Sequence, residues 1–335
     1  MKVSVLMTTY NHERYIAQAI ESVLMQQVNF PYELIIGEDA STDRTREIVL
    51  EYQKQYPNVI RALLRDREAS DRDRARGLGG KTNFVEAFKA CCGDYIALLD
   101  GDDYWIEPHK LQAQVEFLTN HPDFAICFHN VERFYEDGTQ PPSNGCPPNQ
   151  KAISTIQDLL ALNFIHSSSC MFPRGLFKEF SDWFLTAPFG DWPIYVFNAQ
   201  HGKIGYIDEV MGAYRIHSQG EWSSKSNKQR TLELVEFYKH INRHLEFRYD
   251  RQIGDNLFMC WYWLAVMAAG DQDLEGARVY ARNCFAALPF YKHLGFRIKL
   301  LARLYMPAIF KIGKKLQALG GSAHLKIPPT SPRRT

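Results

Sequence analysis

The first hundred residues alternate short apolar runs with stretches of helical spacing, and that alternation leaves few folds open. Val3–Met7, Glu33–Ile36, Val59–Leu64 and Tyr95–Leu99 are too short for helices and largely apolar, so they read as strands. Between them lie helices. Glu13–Gln26 carries Ile16, Ile20, Val23 and Leu24 at helical spacing, and Thr42–Tyr56 carries Ile48, Val49 and Tyr52. Asn83–Cys92 places Phe84, Ala87 and Phe88 on one face. Burial on both faces is read from Tyr95–Leu99, whose five residues are all apolar. Strands joined by helices must run parallel with crossover connections, so the order predicts an α/β, doubly wound sheet.

Past residue 100 the pattern continues with a helix over Leu111–Asn120 and a strand over Phe124–His129. Arg67–Gly80, charged and aperiodic, and Asp137–Gln150, rich in Pro, Gly, Asn and Ser, read as loops. From about Asn227 the chain turns helical, with candidates at Glu233–Leu245, Gly254–Ala269 and Leu274–Ala287. These shifts divide it into 1–226, a helical extension over 227–289, and a basic amphipathic tail over 290–335 whose end has the composition of a disordered segment.

Chemistry gathers where a doubly wound sheet would collect it. Asp100-Gly101-Asp102-Asp103 ends the fourth strand, and three carboxylates in four residues repel one another unless something positive sits among them. Read alone, the cluster is either a polar Asp-Gly turn or a site for Mg²⁺ or Mn²⁺ shared with phosphate oxygens. Three further groups stand at comparable places: Thr8-Thr9-Tyr10-Asn11, Glu38-Asp39-Ala40-Ser41-Thr42-Asp43, and Gly190-Asp191-Trp192-Pro193 with His217 after Ile216. Each has a plain structural alternative. Asp39 and Asp43 suit the start of a helix, Asp191 suits an N-cap with Pro193 just inside, and a lone histidine after a strand is often structural.

The net charge of +1 conceals an asymmetry. After Glu275 there is no Asp or Glu but twelve Lys and Arg, leaving 27 basic and 38 acidic residues before it, a net of −11. The acidic body argues against nucleic acid as a partner. The basic, apolar-interleaved end suits an anionic membrane surface, or else packs its apolar side on the body. Seven cysteines without C-x-x-C spacing read as reduced thiols of a cytoplasmic protein. Met1-Lys2 runs straight into the first strand rather than a leader. The longest apolar run, Phe258–Ala269, is too short to span a bilayer, so the expected location is cytoplasmic, peripheral at the inner face of the plasma membrane.

Val5-Leu6-Met7-Thr8-Thr9-Tyr10-Asn11, Glu38 through Asp43, and Gly93-Asp94-Tyr95 through Asp103 resemble, in order and separation, the signature blocks of family 2 inverting glycosyltransferases with the GT-A fold. The resemblance covers roughly residues 1–220. It implies a GT-A doubly wound, mostly parallel sheet with a C-terminal helical extension. Thr8 and Tyr10 then match the nucleotide pocket, and Asp39 the acceptor of a uracil N3–H, which favours a UDP-sugar donor. Lys81 and Asn83 match the diphosphate side. Asp100, Asp102 and Asp103 match the metal-binding D-x-D element for Mn²⁺ or Mg²⁺, with His217 beside it, and Asp191 matches the general base. Glu38 and Ala40 stand where the family commonly has Asp and Gly, and Lys81-Thr82-Asn83 replaces its usual Ala-Arg-Asn. The implied reaction is inverting transfer of a sugar to an acceptor hydroxyl, on a glycan or lipid-linked acceptor, in cell-surface polysaccharide or glycolipid synthesis. The alternatives are a sugar nucleotidyltransferase, against which stands the lack of a glycine in Thr8–Asn11, or an inactive nucleotide-sugar binder.

Overall fold

The computed structural model describes residues 1–305 except 178, 181, 221, 223 and 290, so the end of the basic tail lies outside the described residues. Two compact units appear, Met1–Ser223 and a second from Ser224 onward. In the first, β1 (Val3–Thr9), α1 (Ile16–Leu24), β2 (Tyr32–Glu38), α2 (Thr45–Gln55) and β3 (Ile60–Leu64) lead to α3 (Arg67–Ala75), α4 (Lys81–Ala90) and β4 (Tyr95–Asp100). There follow β5 (Tyr104–Trp105), α5 (Lys110–Asn120), β6 (Phe124–Tyr135), β7 (Ser143–Asn144), β8 (Ile153–Ser154) and α6 (Ile156–Ala161). A 3₁₀ turn at Ser167–Ser169, β9 (Met171–Pro173), α7 (Asp182–Thr186), α8 (Asp191–Ala199) and β10 (Lys203–Ile216) complete the unit.

The strands form one sheet in the order β3-β2-β1-β4-β9-β6-β10-β5, with β7 on β6 and β8 on β10. β3, β2, β1 and β4 pair in parallel, as their helical crossovers require. Beyond β4 the sheet is mixed. β9 lies antiparallel between β4 and β6, and β10 is parallel to β6 but antiparallel to β5. One face is covered by α1, whose Ile16, Ala19, Ile20 and Val23 recur every three or four residues and are buried against Val3, Val5, Met7, Leu34 and Ile36. Each such side chain contributes about 1.5–3 kcal/mol when fully buried. The chain winds outward through β2 and β3, then returns to β4 on the other side of β1. The crevice beyond β1 and β4 is therefore where strand order reverses.

Two sequence expectations change. Arg67–Gly80 is not a loop throughout, since α3 occupies Arg67–Ala75. That helix is polar on every side, with Ser70 its buried residue, so it has no apolar period to detect; Asp66 caps it by accepting the Ala69 N–H at 3.1 Å. The strand expected to end at His129 runs on to Tyr135, through buried His129 and Asn130. β10 has a register shift between Ile207 and Val210, where Asp208 and Glu209 break the apolar alternation.

The second unit is helical: α9 (Asn227–His244), α10 (Asp250–Gly270), α11 (Leu274–Ala286) and α12 (Leu294–Tyr305). α10 packs against the other three. Its Phe258, Tyr262, Ala265 and Ala268 form a core with Ala277, Ala281 and Cys284 of α11 and Leu300 and Leu304 of α12. α9 begins before the expected Glu233 because Ser226 and Gln229 form a reciprocal capping box. Buried Arg297 donates to the carbonyls of Phe285, Leu288, Pro289 and Lys292, fixing the turn between α11 and α12. Among the described residues no helix is long and apolar enough to cross a membrane.

Candidate active site

Parallel register sets Thr8 of β1 beside Gly37 of β2 and beside Asp100 of β4, so three strands deliver their carboxyl ends to one line. The Thr8 hydroxyl donates to Asp100 Oδ1 at 3.3 Å, and the Ser167 hydroxyl to Asp100 Oδ2. The turn after Asp100 is tight. A Cβ on Gly101 would lie 2.7 Å from Thr9 Oγ1, which accounts for glycine within the carboxylate run.

The three aspartates have different surroundings. Asp102 Oδ2 is hydrogen-bonded at 3.0 Å to His217 Nε2 and lies 3.9 Å from His12 Nε2. Burial pushes the Asp102 carboxyl up, but the His217 hydrogen bond and the positive charge available at His12 and His217 outweigh it and hold it below the ordinary range. Asp100 is pushed up to about 7 by burial and then by the Asp102 charge, with the Ser167 hydrogen bond opposing. Asp103, expected with the metal ligands, is buried and accepts the Arg215 N–H at 2.9 Å. Burial and the other two charges raise its carboxyl well above the usual value, so its visible work is to hold the end of β10. Arg215 repeats the attachment by donating from Nε to the Asp102 carbonyl at 3.0 Å.

The loops after β1 and β2 are laced together. Asn11 N–H donates to Ser41 Oγ, Asn11 Oδ1 accepts the Thr42 N–H, His12 N–H donates to Thr45 Oγ1, and Asp43 accepts the Glu13 N–H. Asp43 also accepts the Thr45 N–H at the start of α2, the helix-starting role that Asp39 does not play. Buried Asp39 instead receives Arg65 Nη1 at 2.9 Å and Ser70 Oγ at 2.8 Å on Oδ1, and Arg74 Nη2 at 3.0 Å on Oδ2. The Arg74 guanidinium lies 3.8 Å from the centre of the Tyr10 ring, so a planar donor group already stacks on Tyr10 and bonds Asp39. Ala40 has φ of 57°, the left-handed region that favours glycine, which explains the residue common there in the resembling family. Glu38, longer than aspartate, spans from the Ser41 N–H to Arg46.

Asp191 opens α8, with Gly190 at the cap and Pro193 inside the first turn, and its carboxylate accepts the following Trp192 N–H at 2.7 Å. Its charge adds to the upward push on Asp100, Tyr195 and Tyr214, so it shares their neighbourhood. Lys81 and Asn83 are placed differently from expectation. Asn83 is buried and donates to the Gly37 carbonyl at 2.8 Å, pinning α4 to β2; Lys81 Nζ donates to the Ala187 carbonyl, ahead of Asp191. Sequence reasoning passed over His12, Tyr195 and Tyr214. Two left a trace, because Tyr195 stands one helical turn from Asp191 and His12 three residues beyond Thr9.

Among the described residues no three His, Cys, Asp or Glu side chains form a ready-made metal cage. The donors that do converge, the Asp100 and Asp102 carboxylates, are hard oxygen groups whose like charges raise a carboxyl pKa. Such a pair fits Mg²⁺ or Mn²⁺, ions that leave positions to water and phosphate rather than needing an all-protein shell.

A parallel half-sheet carrying carboxylates at its switch point, continued by a mixed half ending in a histidine, is the GT-A glycosyltransferase architecture. The chain belongs to glycosyl transferase family 2, whose family description matches residues 4–181. An uncharacterized protein of Mycobacterium tuberculosis (strain H37Rv) is 36% identical over 228 residues, 68% of this chain and 62% of the relative, so the chain spans less than two thirds of that protein. Among solved structures, residues 1–349 of Staphylococcus aureus TarS match with a TM-score of 0.63 at 16% identity, covering 98% of this chain and 94% of that one. A mannosyltransferase from Pyrobaculum calidifontis, solved with GDP-Man and Mn²⁺, matches with a TM-score of 0.53 at 18% identity, covering 95% and 87%. At those identities the likeness is one of fold.

Proposed function

We propose that this glycosyltransferase moves a sugar from a UDP-sugar to an acceptor hydroxyl with inversion at the anomeric carbon, in the synthesis of a cell-surface polysaccharide or glycolipid. The observation that carries the reading is the convergence of two unlike acidic groups on the switch-point crevice: the Asp100–Asp102 pair at the end of β4 and Asp191 at the start of α8. The catalytic work falls to residues 1–226, with 227–289 as helical extension and 290–335 as the part facing a membrane that carries a lipid-linked acceptor.

In this scheme Tyr10 and Asp39 receive the base, the ring by stacking and the carboxylate by accepting N3–H, and Thr8 borders the pocket. Asp100 and Asp102, with His217 behind Asp102, would hold Mg²⁺ or Mn²⁺ against the diphosphate; that ion would supply Lewis-acid stabilisation of the departing oxygens. Lys81 and Asn83 support the site from α4, Lys81 through the segment before Asp191 and Asn83 through Gly37. Asp191 takes the proton from the acceptor hydroxyl as its oxygen attacks the anomeric carbon. One base and one displacement invert the centre, and no protein nucleophile is required. Base catalysis of this kind contributes about 10²–10⁴-fold.

The test is nucleoside diphosphate release from a panel of UDP- and GDP-sugars with Mn²⁺ and a glycan acceptor, for the natural chain and Asp191→Asn. Transfer should fall by about 10²–10⁴-fold while donor affinity stays within about twofold, the signature of a group acting in the transition state. Equal loss of binding and turnover would make Asp191 structural, and release from a GDP-sugar alone would overturn the choice of donor.

A further inference from the structure

α12 has a face that its own fold leaves uncovered. Arg297, Leu300 and Leu304 turn inward to the helical core, while Leu294, Ile298, Leu301 and Tyr305 are 41 to 60% exposed. At 100° per residue those four fall within roughly 60° of arc, so they form a stripe rather than a scatter. Tyr291, just ahead of the helix, is 75% exposed.

Cations border the stripe. Lys292 lies in the turn before it, and the Arg278 guanidinium of α11 stands 5.6 Å from the centre of the Tyr305 ring. The last carboxylates in the sequence, Asp271, Asp273 and Glu275, precede or begin α11, and Asp273 is occupied in capping that helix. Residues 306–335 add six more Lys and Arg and no acid.

We infer that this face of α12 is a docking surface for an anionic lipid bilayer, the helix lying in the plane of the interface with its stripe among the acyl chains and its cations on the headgroups. The charge pattern separates this occupant from the others. A second copy meeting the same stripe about a two-fold axis would set one cationic rim against another, and residues 306–335 folded back would do likewise. An anionic bilayer satisfies the apolar stripe and its rim together. The inference rests on the membrane-facing role proposed above for 290–335, but lipid binding is measured without turnover, so its failure would leave the sugar-transfer reading standing.

The experiment floats the full chain with vesicles of phosphatidylcholine alone and of equal parts phosphatidylcholine and phosphatidylglycerol. The natural chain should float with the anionic vesicles only. Ile298→Glu/Leu301→Glu, which alters exposed positions, should lower the bound fraction about tenfold or more with an unchanged melting temperature. Arg278→Glu/Lys292→Glu should remove the preference for anionic lipid if the first pair unfolds the helix. UDP release to a water-soluble acceptor should be the same in all. No flotation of the natural chain, flotation of both double variants equal to that of the natural chain, or light scattering that shows a dimer which Ile298→Glu/Leu301→Glu dissociates would each overturn the inference.

Discussion

Lys110, in the first turn of α5, is fully buried with its ammonium 3.7 Å from the centre of the Trp105 ring and no hydrogen-bond partner among the described residues. Burial lowers its pKa from the ordinary 10.5 to about 7. The unfolded chain therefore holds this proton at pH values where the folded one has released it. The resulting penalty is full below pH 7 and shrinks as pH rises toward 10.5. Lys110→Met should accordingly stabilise the protein, and the gain should fall by about 2 kcal/mol between pH 6 and pH 9 in denaturant titrations. Nothing in the sequence marks Lys110 as buried, because it stands among ordinary surface-like residues at a helix start. Asp39, Asp100, Asp102 and Asp191 were legible at this scale because each terminates a strand or opens a helix beside turn-forming neighbours. Tyr214 was not, since only the tertiary pairing of β10 with β6 and β5 brings it to the carboxylates.

Among elements, α3 is the one whose position rests on charge rather than packing. Arg65, Ser70 and Arg74 converge on Asp39, Arg65 also bonds Asp73, and no apolar side chain of α3 is buried. Asp39→Ala would strip two guanidiniums of their shared acceptor, one of them almost fully buried, and such losses cost several kcal/mol where they occur. The expected result is local: amide exchange across 67–75 speeds up by about tenfold or more, while β1, β2 and β4 keep their protection. Exchange rising equally in β1 would show Asp39 to support the whole sheet. The same contrast explains which elements could be read from sequence. β1–β4 announced themselves as short, largely apolar runs between helical stretches, whereas α3 has no apolar face and β10 hides behind its bulge at Asp208-Glu209.

For the whole molecule, the acidic crevice sets a pH dependence opposite to that of Lys110. A carboxyl raised in the folded state contributes stability that is fully present below about pH 4 and is lost as pH climbs through the folded value, here about 7 for Asp100. Asp103, raised from the same causes, adds in the same sense. The melting temperature should therefore fall between pH 5 and pH 8 in EDTA by a few degrees, and Asp100→Asn should flatten that slope. If the crevice holds a divalent cation, Mn²⁺ should restore several degrees at pH 8 and little at pH 5. An equal shift at both would place the ion elsewhere. The topology carries one more consequence. Pairing between β4 and β9 stops at Ala97, and from Leu98 onward the neighbour of β4 is the turn at Cys170, not a strand. The sheet drops a stitch three residues before its most acidic point, and Ser167 fills the gap. The wall beside the carboxylates is thus a buried turn and not a ladder: the Ser168 and Ser169 carbonyls accept Trp105 Nε1 and Gln114 Nε2, and that anchorage is what holds the Ser167 hydroxyl against Asp100.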